Sequence, residues 1–379
     1  MKFSVFPVLS AAVLVGLFTG CAVSMLPTAS TRAKNTVAAP IASANVAASD
    51  PRFIYEGRFD VSNPEAPGVV WQGSRIRLGF EGDSLSLHFS DVKGQVFFDS
   101  MVDGHKTIIE LRQSAQPIDV SLQGLGSGPH ELVLFKRSEA AAGSARFTGV
   151  TLSPGAKAIA SAKPDYRDSF QFVGDSITVG ACNEDGAEDQ WEDRRTHNNA
   201  LSYGAMTAAA FSADYRNIAV SGMGVSIGWI TPKAGEIWDR VYPEPTSPRA
   251  DLATWKPRVI FVNLGENDDS YSKAKNLPFP SADYTNGYIS LVQAMRAAYP
   301  DSEIVILRGG MFGGAQSERL RVPWEAAVKE LETADAHVIH FVFQHWSSTH
   351  PRVSDHRAMA DELIAWLKTQ PFMVDTKRS

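Results

Sequence analysis

From residue 170 to the carboxyl end, apolar runs of strand length alternate with segments whose apolar residues keep helical spacing. No other feature narrows the possible folds as far. Residues 170–173, 215–220, 259–264, 304–307 and 337–343 read as five buried strands, ending in glycine or small polar residues. Between them Tyr288, Leu291, Val292 and Met295 recur at helical spacing, as do Met359, Leu363 and Leu367. Such alternation predicts a parallel sheet covered by helices on both faces, a three-layer αβα domain over residues 165–379. In open sheets of this kind ligands bind beyond the carboxyl ends of the strands.

Those ends carry chemistry. The first strand runs into Gly174-Asp175-Ser176-Ile177, and the second into Ser221-Gly222-Met223-Gly224. The third ends in Gly265-Glu266-Asn267-Asp268, and the fifth leads through Trp346-Ser347-Ser348-Thr349 to His350-Pro351. A serine, a glycine-bounded turn, an asparagine and a histidine therefore converge on one edge. Acyl transfer needs these parts: a base to take the serine proton and donors aimed at the developing oxyanion. Alone, Ser176 would read as a helix start, because Asp-Ser after a strand is a common one.

Upstream the period changes to two. Arg75-Ile76-Arg77-Leu78-Gly79-Phe80 alternates, Leu85-Ser86-Leu87-His88-Phe89 follows a turn, and Asp103-Gly104 marks a tight hairpin between 95–102 and 107–111. Residues 131–135 and 147–152 complete the set. Turns every eight to twelve residues predict an antiparallel β-sandwich of jelly-roll type over residues 51–155. His88, His105 and His130 fall among these strands and turns and read as structural or surface residues.

Lys2 and the apolar run to Gly20 read as an export signal. Its end, Leu17-Phe18-Thr19-Gly20-Cys21, resembles a bacterial lipobox, which implies lipidation of Cys21 after a leader of residues 1–21 and a place in the cell envelope. Residues 22–50 are mostly small and polar and predict a flexible tether. The lipid would be the only membrane contact. A formal net charge of -6 and a pI near 5.9, without a Lys/Arg cluster, exclude a nucleic-acid binder. With Cys21 lipidated, Cys182 would be the one free thiol.

Gly-Asp-Ser-Ile, the glycine of the second strand end, Gly-x-Asn-Asp and His-Pro, in that order, resemble the blocks of the SGNH (GDSL-type) hydrolases. The sandwich ending in Leu134-Phe135-Lys136-Arg137-Ser138-Glu139 is similar to the accessory domain of carbohydrate esterase family 2. The stretch 202–208 and Trp255-Lys256-Pro257 also match that family. The resemblance implies a flavodoxin-like catalytic domain that deacetylates O-acetylated poly- or oligosaccharides without a cofactor. It implies Ser176 as nucleophile and His350 as general base, with Ser176, Gly222 and Asn267 forming the oxyanion hole. Asp175 and Asp268 would hold loops.

One position departs from the superfamily. The aspartate usual three residues before the histidine is Ser347, and Ser348 also lacks a carboxylate. The expectation is a Ser–His dyad oriented by a backbone carbonyl, with Asp355 or Glu266 as the competing carboxylate. Trp191, Trp229 and Trp346, with the acidic segment 183–193, favour a sugar over a lipid chain. Lipase- or thioesterase-like hydrolysis, or a non-catalytic carbohydrate-binding lipoprotein, are the alternatives. The glycines near 222–228 and 309–314 lack the companions of nucleotide-binding loops. His337, His340, His345, His350 and His356 with Asp355 raise a metal site, but His337 and His340 would face opposite sides of a strand, so no metal is expected.

Overall fold

A computed structural model describes residues 43–374. The amino-terminal half is an antiparallel sheet of 11 strands folded on itself. Its spine is one strand, Leu85–Val102, where the sequence suggested two. The first half of this strand pairs with Gly143–Leu152 and Ile118–Leu122, the second with His105–Ser114 and Pro129–Lys136. Between the halves, Asp91 (φ 47°) and Gly94 (φ 62°) accompany a register shift, so the strand bends from one layer into the other. Leu78, Phe80, Leu87, Phe89, Phe98, Leu134 and Phe147 fill the space between the layers. Asp103 and Gly104 both have positive φ, 50° and 82°, as a two-residue hairpin turn on twisted strands requires.

The end of the segment expected as a tether, residues 22–50, is part of the sandwich. Ala44–Ala47 is a strand, paired antiparallel with the Gly149–Leu152 stretch, and Val46 is buried in the sandwich core. Main-chain bonds to an existing sheet edge hold this segment, which the size of its side chains does not reveal. The sandwich also runs past residue 155, because Lys157–Ile159 pairs with Arg75–Glu81. The rest of the expected leader and tether, including Cys21, lies outside the described residues.

The second half is a five-stranded parallel sheet. Its spatial order is Ala213–Ala219, Asp168–Gly174, Val259–Asn263, Glu303–Met311 and Val338–Ser347. The chain therefore reverses direction across the sheet at the first strand, and that switch point opens a crevice at the strand ends. Successive residues face opposite cores. Phe172 and Phe261 pack, rings stacked at 4.4 Å, with Tyr203, Met359 and Leu363 on one face. Val173, Ile260 and Val262 pack with Tyr284, Tyr288, Leu291 and Trp324 on the other. Helices Tyr203–Ala210 and Val353–Leu367 cover the first face, Ser281–Ala298 and Glu318–Ala334 the second. Truncating a ring such as Phe172 to alanine would cost about 3–5 kcal/mol.

The two halves interlock through buried polar groups. Arg137 is fully buried; it donates to Asp99 Oδ1 (2.8 Å), to the Arg195 carbonyl (2.7 Å) and to Glu184. Gln72 Nε2 donates to Asn217 Oδ1 and to the Ala219 carbonyl, and Arg58 donates to the carbonyls of Trp238 and Arg240. Breaking such a buried charged contact typically costs about 3–5 kcal/mol, so the sandwich is structurally committed to its neighbour. Among the described residues no helix is long and apolar enough to cross a membrane.

Candidate active site

Ser176 opens a single helical turn, Ser176–Val179, at the end of the central strand. Gly174 permits the turn, since a Cβ there would meet Thr178 Oγ1 at 2.1 Å. Asp175 caps the helix by accepting the Ile177 N–H at 3.0 Å, and Gly180 (φ 80°) ends it. Burial pushes the Asp175 carboxyl well up, and the Ile177 N–H that it accepts pulls the other way.

His350 Nε2 lies 2.9 Å from Ser176 Oγ. Its other nitrogen, Nδ1, lies 2.6 Å from Asp189 Oδ2, and the His350 N–H points to the same oxygen at 3.3 Å. The dyad expectation is therefore corrected: a carboxylate does orient the imidazole, and it comes from the loop after Ser176 rather than from the segment before His350. Asp355 instead bonds His345 Nε2 (2.8 Å) and the Arg352 N–H (2.8 Å). Glu266 accepts the N–H groups of Gly313 and Gly314. Ser347 and Ser348 are not needed as orienters.

Asp189 is itself fixed. Arg352 Nη1 donates to its other oxygen at 2.7 Å and also to the carbonyls of Cys182 and His350. Arg352 Nε holds the Gly186 carbonyl, and Asp185 accepts the Gln190 N–H, so the acidic loop is stapled at several points. Burial alone would raise the Asp189 carboxyl, but bonds from His350 and Arg352 hold it well below the usual carboxylate range. It is therefore charged at neutral pH. A sequence reading could see that segment 183–193 holds six acids. Nothing local singles out the one that reaches a histidine 161 residues away.

The other two oxyanion candidates, Gly222 and Asn267, line the same cavity as the serine. Val220 to Met223 form a turn closed by Met223 N–H to the Val220 carbonyl (3.2 Å), with Gly222 at φ 83°. Asn267 Nδ2 donates to the Met223 carbonyl at 3.0 Å, leaving its second N–H for the cavity. Asp268 accepts the N–H groups of Val225, Ser226 and Ile227 and the Ser226 hydroxyl, pinning the segment beyond the turn.

Ser176, His350, Gly222 and Asn267 line one cavity of about 530 Å³ with Trp191 and Trp229. Trp191 stands edge-on to His350 with ring centroids 5.0 Å apart, and Trp229 is half exposed with Nε1 bonded to Ser270 Oγ. Trp346 does not line this cavity; it packs against Phe312 instead. The other histidines disperse: His337 meets Glu303, His340 meets Glu332, and His356 accepts the Tyr203 N–H. Cys182 stands near both Asp185–His197 and Asp189–His350. Each of those imidazoles already has partners, His197 at the Gln190 carbonyl and His350 on both nitrogens, so neither group is an open ligand set.

A serine backed by a histidine and an aspartate, facing N–H donors at the switch point of a parallel sheet, defines a serine-dependent ester hydrolase. Residues 172–367 match the GDSL-like Lipase/Acylhydrolase family and residues 55–161 the Carbohydrate esterase 2 N-terminal domain. The chain belongs to the GDSL-like hydrolases and, with that amino-terminal domain, to carbohydrate esterase family 2. It is 33% identical over 85% of its length to the cellulase/esterase CelE of Acetivibrio thermocellus, of which it spans only 40%. An acetylxylan esterase / glucomannan deacetylase of Cellvibrio japonicus is 27% identical, with 82% of this chain and 89% of that protein aligned. A family two carbohydrate esterase from Clostridium thermocellum, solved in complex with cellohexaose, superposes with a TM-score of 0.75 at 29% identity. That match covers 83% of this chain and 98% of the other.

Proposed function

We propose that this chain removes acetyl groups from O-acetylated plant-type polysaccharides or oligosaccharides through an acetyl-enzyme on Ser176. The observation that carries the reading is the Ser176–His350–Asp189 relay opening onto a cavity walled by two accessible tryptophans. Ser176 Oγ attacks the acetyl carbonyl carbon while His350 Nε2 takes its proton. The N–H groups of Ser176 and Gly222 and the Asn267 amide receive the oxyanion. Collapse breaks the ester bond, and His350 returns the proton to the departing sugar oxygen. Water, deprotonated by His350, then attacks the acetyl-enzyme to release acetate and free Ser176. Asp189 stabilises the imidazolium in both halves.

Trp191 and Trp229 offer faces for sugar rings, and Glu139, Arg194 and Ser270 add polar groups to the wall, which suits a hydroxylated substrate better than a lipid chain. The deciding experiment is acetate release from acetylated xylan, glucomannan, xyloglucan and pectin, alongside long-chain acyl esters. Release from one or more polysaccharides supports the reading; turnover of long-chain esters alone would replace it with a lipase. From the leader ending in Cys21 we further propose that the enzyme is exported and lipid-anchored through that residue. Fatty-acid label on the protein, lost in Cys21→Ser, supports the anchor; unlabelled protein cleaved elsewhere contradicts it.

A further inference from the structure

The sandwich contributes a carboxylate to the active-site cavity. Glu139 lies in the loop between strands Pro129–Lys136 and Gly143–Leu152, its side chain almost wholly buried yet lining the cavity. Glu139 Oε2 accepts the N–H of Ser221 at 3.0 Å. Ser221 immediately precedes Gly222, so this bond fixes the peptide from which the oxyanion turn begins. Glu139 Oε1 accepts from Arg194 Nη1 at 3.2 Å. The Arg194 guanidinium lies over the Trp191 ring at 4.9 Å, and Trp191 stands against His350. One carboxylate thus joins the oxyanion side of the site to the base side.

Its own loop is held rigidly. Buried Lys136 Nζ donates to the carbonyls of Ser138 and Glu139, and Gln72 Oε1 accepts the Ala140 N–H. Gln72 in turn bonds the Ala219 carbonyl at the end of the neighbouring strand. The position of Glu139 is therefore registered against the sheet that carries the turn. The Gly222 carbonyl is taken by the Trp229 N–H at 2.8 Å, which holds the turn from its other side.

We infer that Glu139 is a positioning residue for the oxyanion turn, so the accessory sandwich is a working part of the active site rather than an appended module. The inference rests on the proposed esterase reading. Glu139 touches no reacting atom; it acts by aiming Gly222 N–H.

The test uses the full chain and a chromogenic acetyl ester. Glu139→Ala should lower kcat about ten- to a hundredfold with KM changed less than about threefold, below the loss expected for deleting a donor outright. Glu139→Gln keeps one acceptor oxygen and should recover kcat to within about fivefold of the parent. A cycle with Asn267→Ala separates positioning from general loosening, because both residues serve one oxyanion. Losses in the double variant should fall short of the product of the single losses. Losses that multiply, or kcat within twofold in Glu139→Ala, would overturn the inference. Should Glu139→Ala fail to fold, Glu139→Met, which keeps the bulk but supplies no carboxylate oxygen, enters the same cycle with the same criterion. A parent chain without esterase activity would instead refute the reading beneath it.

Discussion

Replacing Asp189 by asparagine tests the relay where the structure departs most from expectation. The carboxylate is 2.6 Å from His350 Nδ1, which puts the charge centres about 4 Å apart once His350 is protonated. At an effective dielectric near 20, that attraction is worth about 4 kcal/mol, or roughly a thousandfold in rate. Arg352 on the other carboxylate oxygen offsets part of this field. Asparagine can also turn its amide N–H toward Nδ1 and impose the wrong tautomer, which in the serine-protease template contributes to a loss of about ten-thousandfold. The expected outcome for Asp189→Asn is a fall in kcat of about a hundred- to a thousandfold, with KM changed less than about threefold. The assay is hydrolysis of a chromogenic acetyl ester across pH, with a thermal melt as the control for folding. A loss under fivefold in a folded variant would show that something other than Asp189 orients His350.

Asp355→Asn should keep activity within about tenfold, because its carboxylate serves His345 and the start of helix Val353–Leu367; it should lower stability by about 1 kcal/mol in urea denaturation. Asn267→Ala should cost on the order of a hundredfold in kcat, and a change confined to KM would assign the amide to ground-state binding instead. His356 is fully buried, and burial pushes its imidazole down to about 3. Its folded value lies below the unfolded one, near about 6.5. Its stabilising effect is therefore complete above about pH 6.5 and is lost as pH falls toward about 3, at roughly 1.4 kcal/mol per unit. His356→Asn, which can still accept the Tyr203 N–H, should flatten that slope in denaturation curves between about pH 6.5 and 4; an unchanged slope would place the acid sensitivity elsewhere.

The parallel sheet was legible because strands buried on both faces are nearly continuous apolar runs, as at 170–173 and 259–264, where only Gln171 and Asn263 interrupt. The candidate residues Ser176, Gly222 and Asn267 were legible for the same reason: each follows the point where a run stops, and the structure brings them to one cavity. Asp189 was not, since its loop has irregular backbone and its choice among neighbouring acids is made by Arg352 and His350 in space. Ala44–Ala47 was missed because a small-residue strand is held by its main chain. Strand Leu85–Val102 read as two because the bend at Asp91 and Gly94 breaks period-two alternation. The motif ending in Glu139 was visible as a resemblance, but its contact with Ser221 spans 82 residues and two sheets.

The central claim is that acetyl passes through Ser176 Oγ. Rapid acid quench of the enzyme during turnover of an acetylated oligosaccharide, followed by peptide mass analysis, measures this directly. The account predicts a mass gain of one acetyl group confined to the peptide containing Ser176, absent in Ser176→Ala together with acetate release. An acetyl group on another residue, or steady acetate release by the folded Ser176→Ala variant, would contradict it.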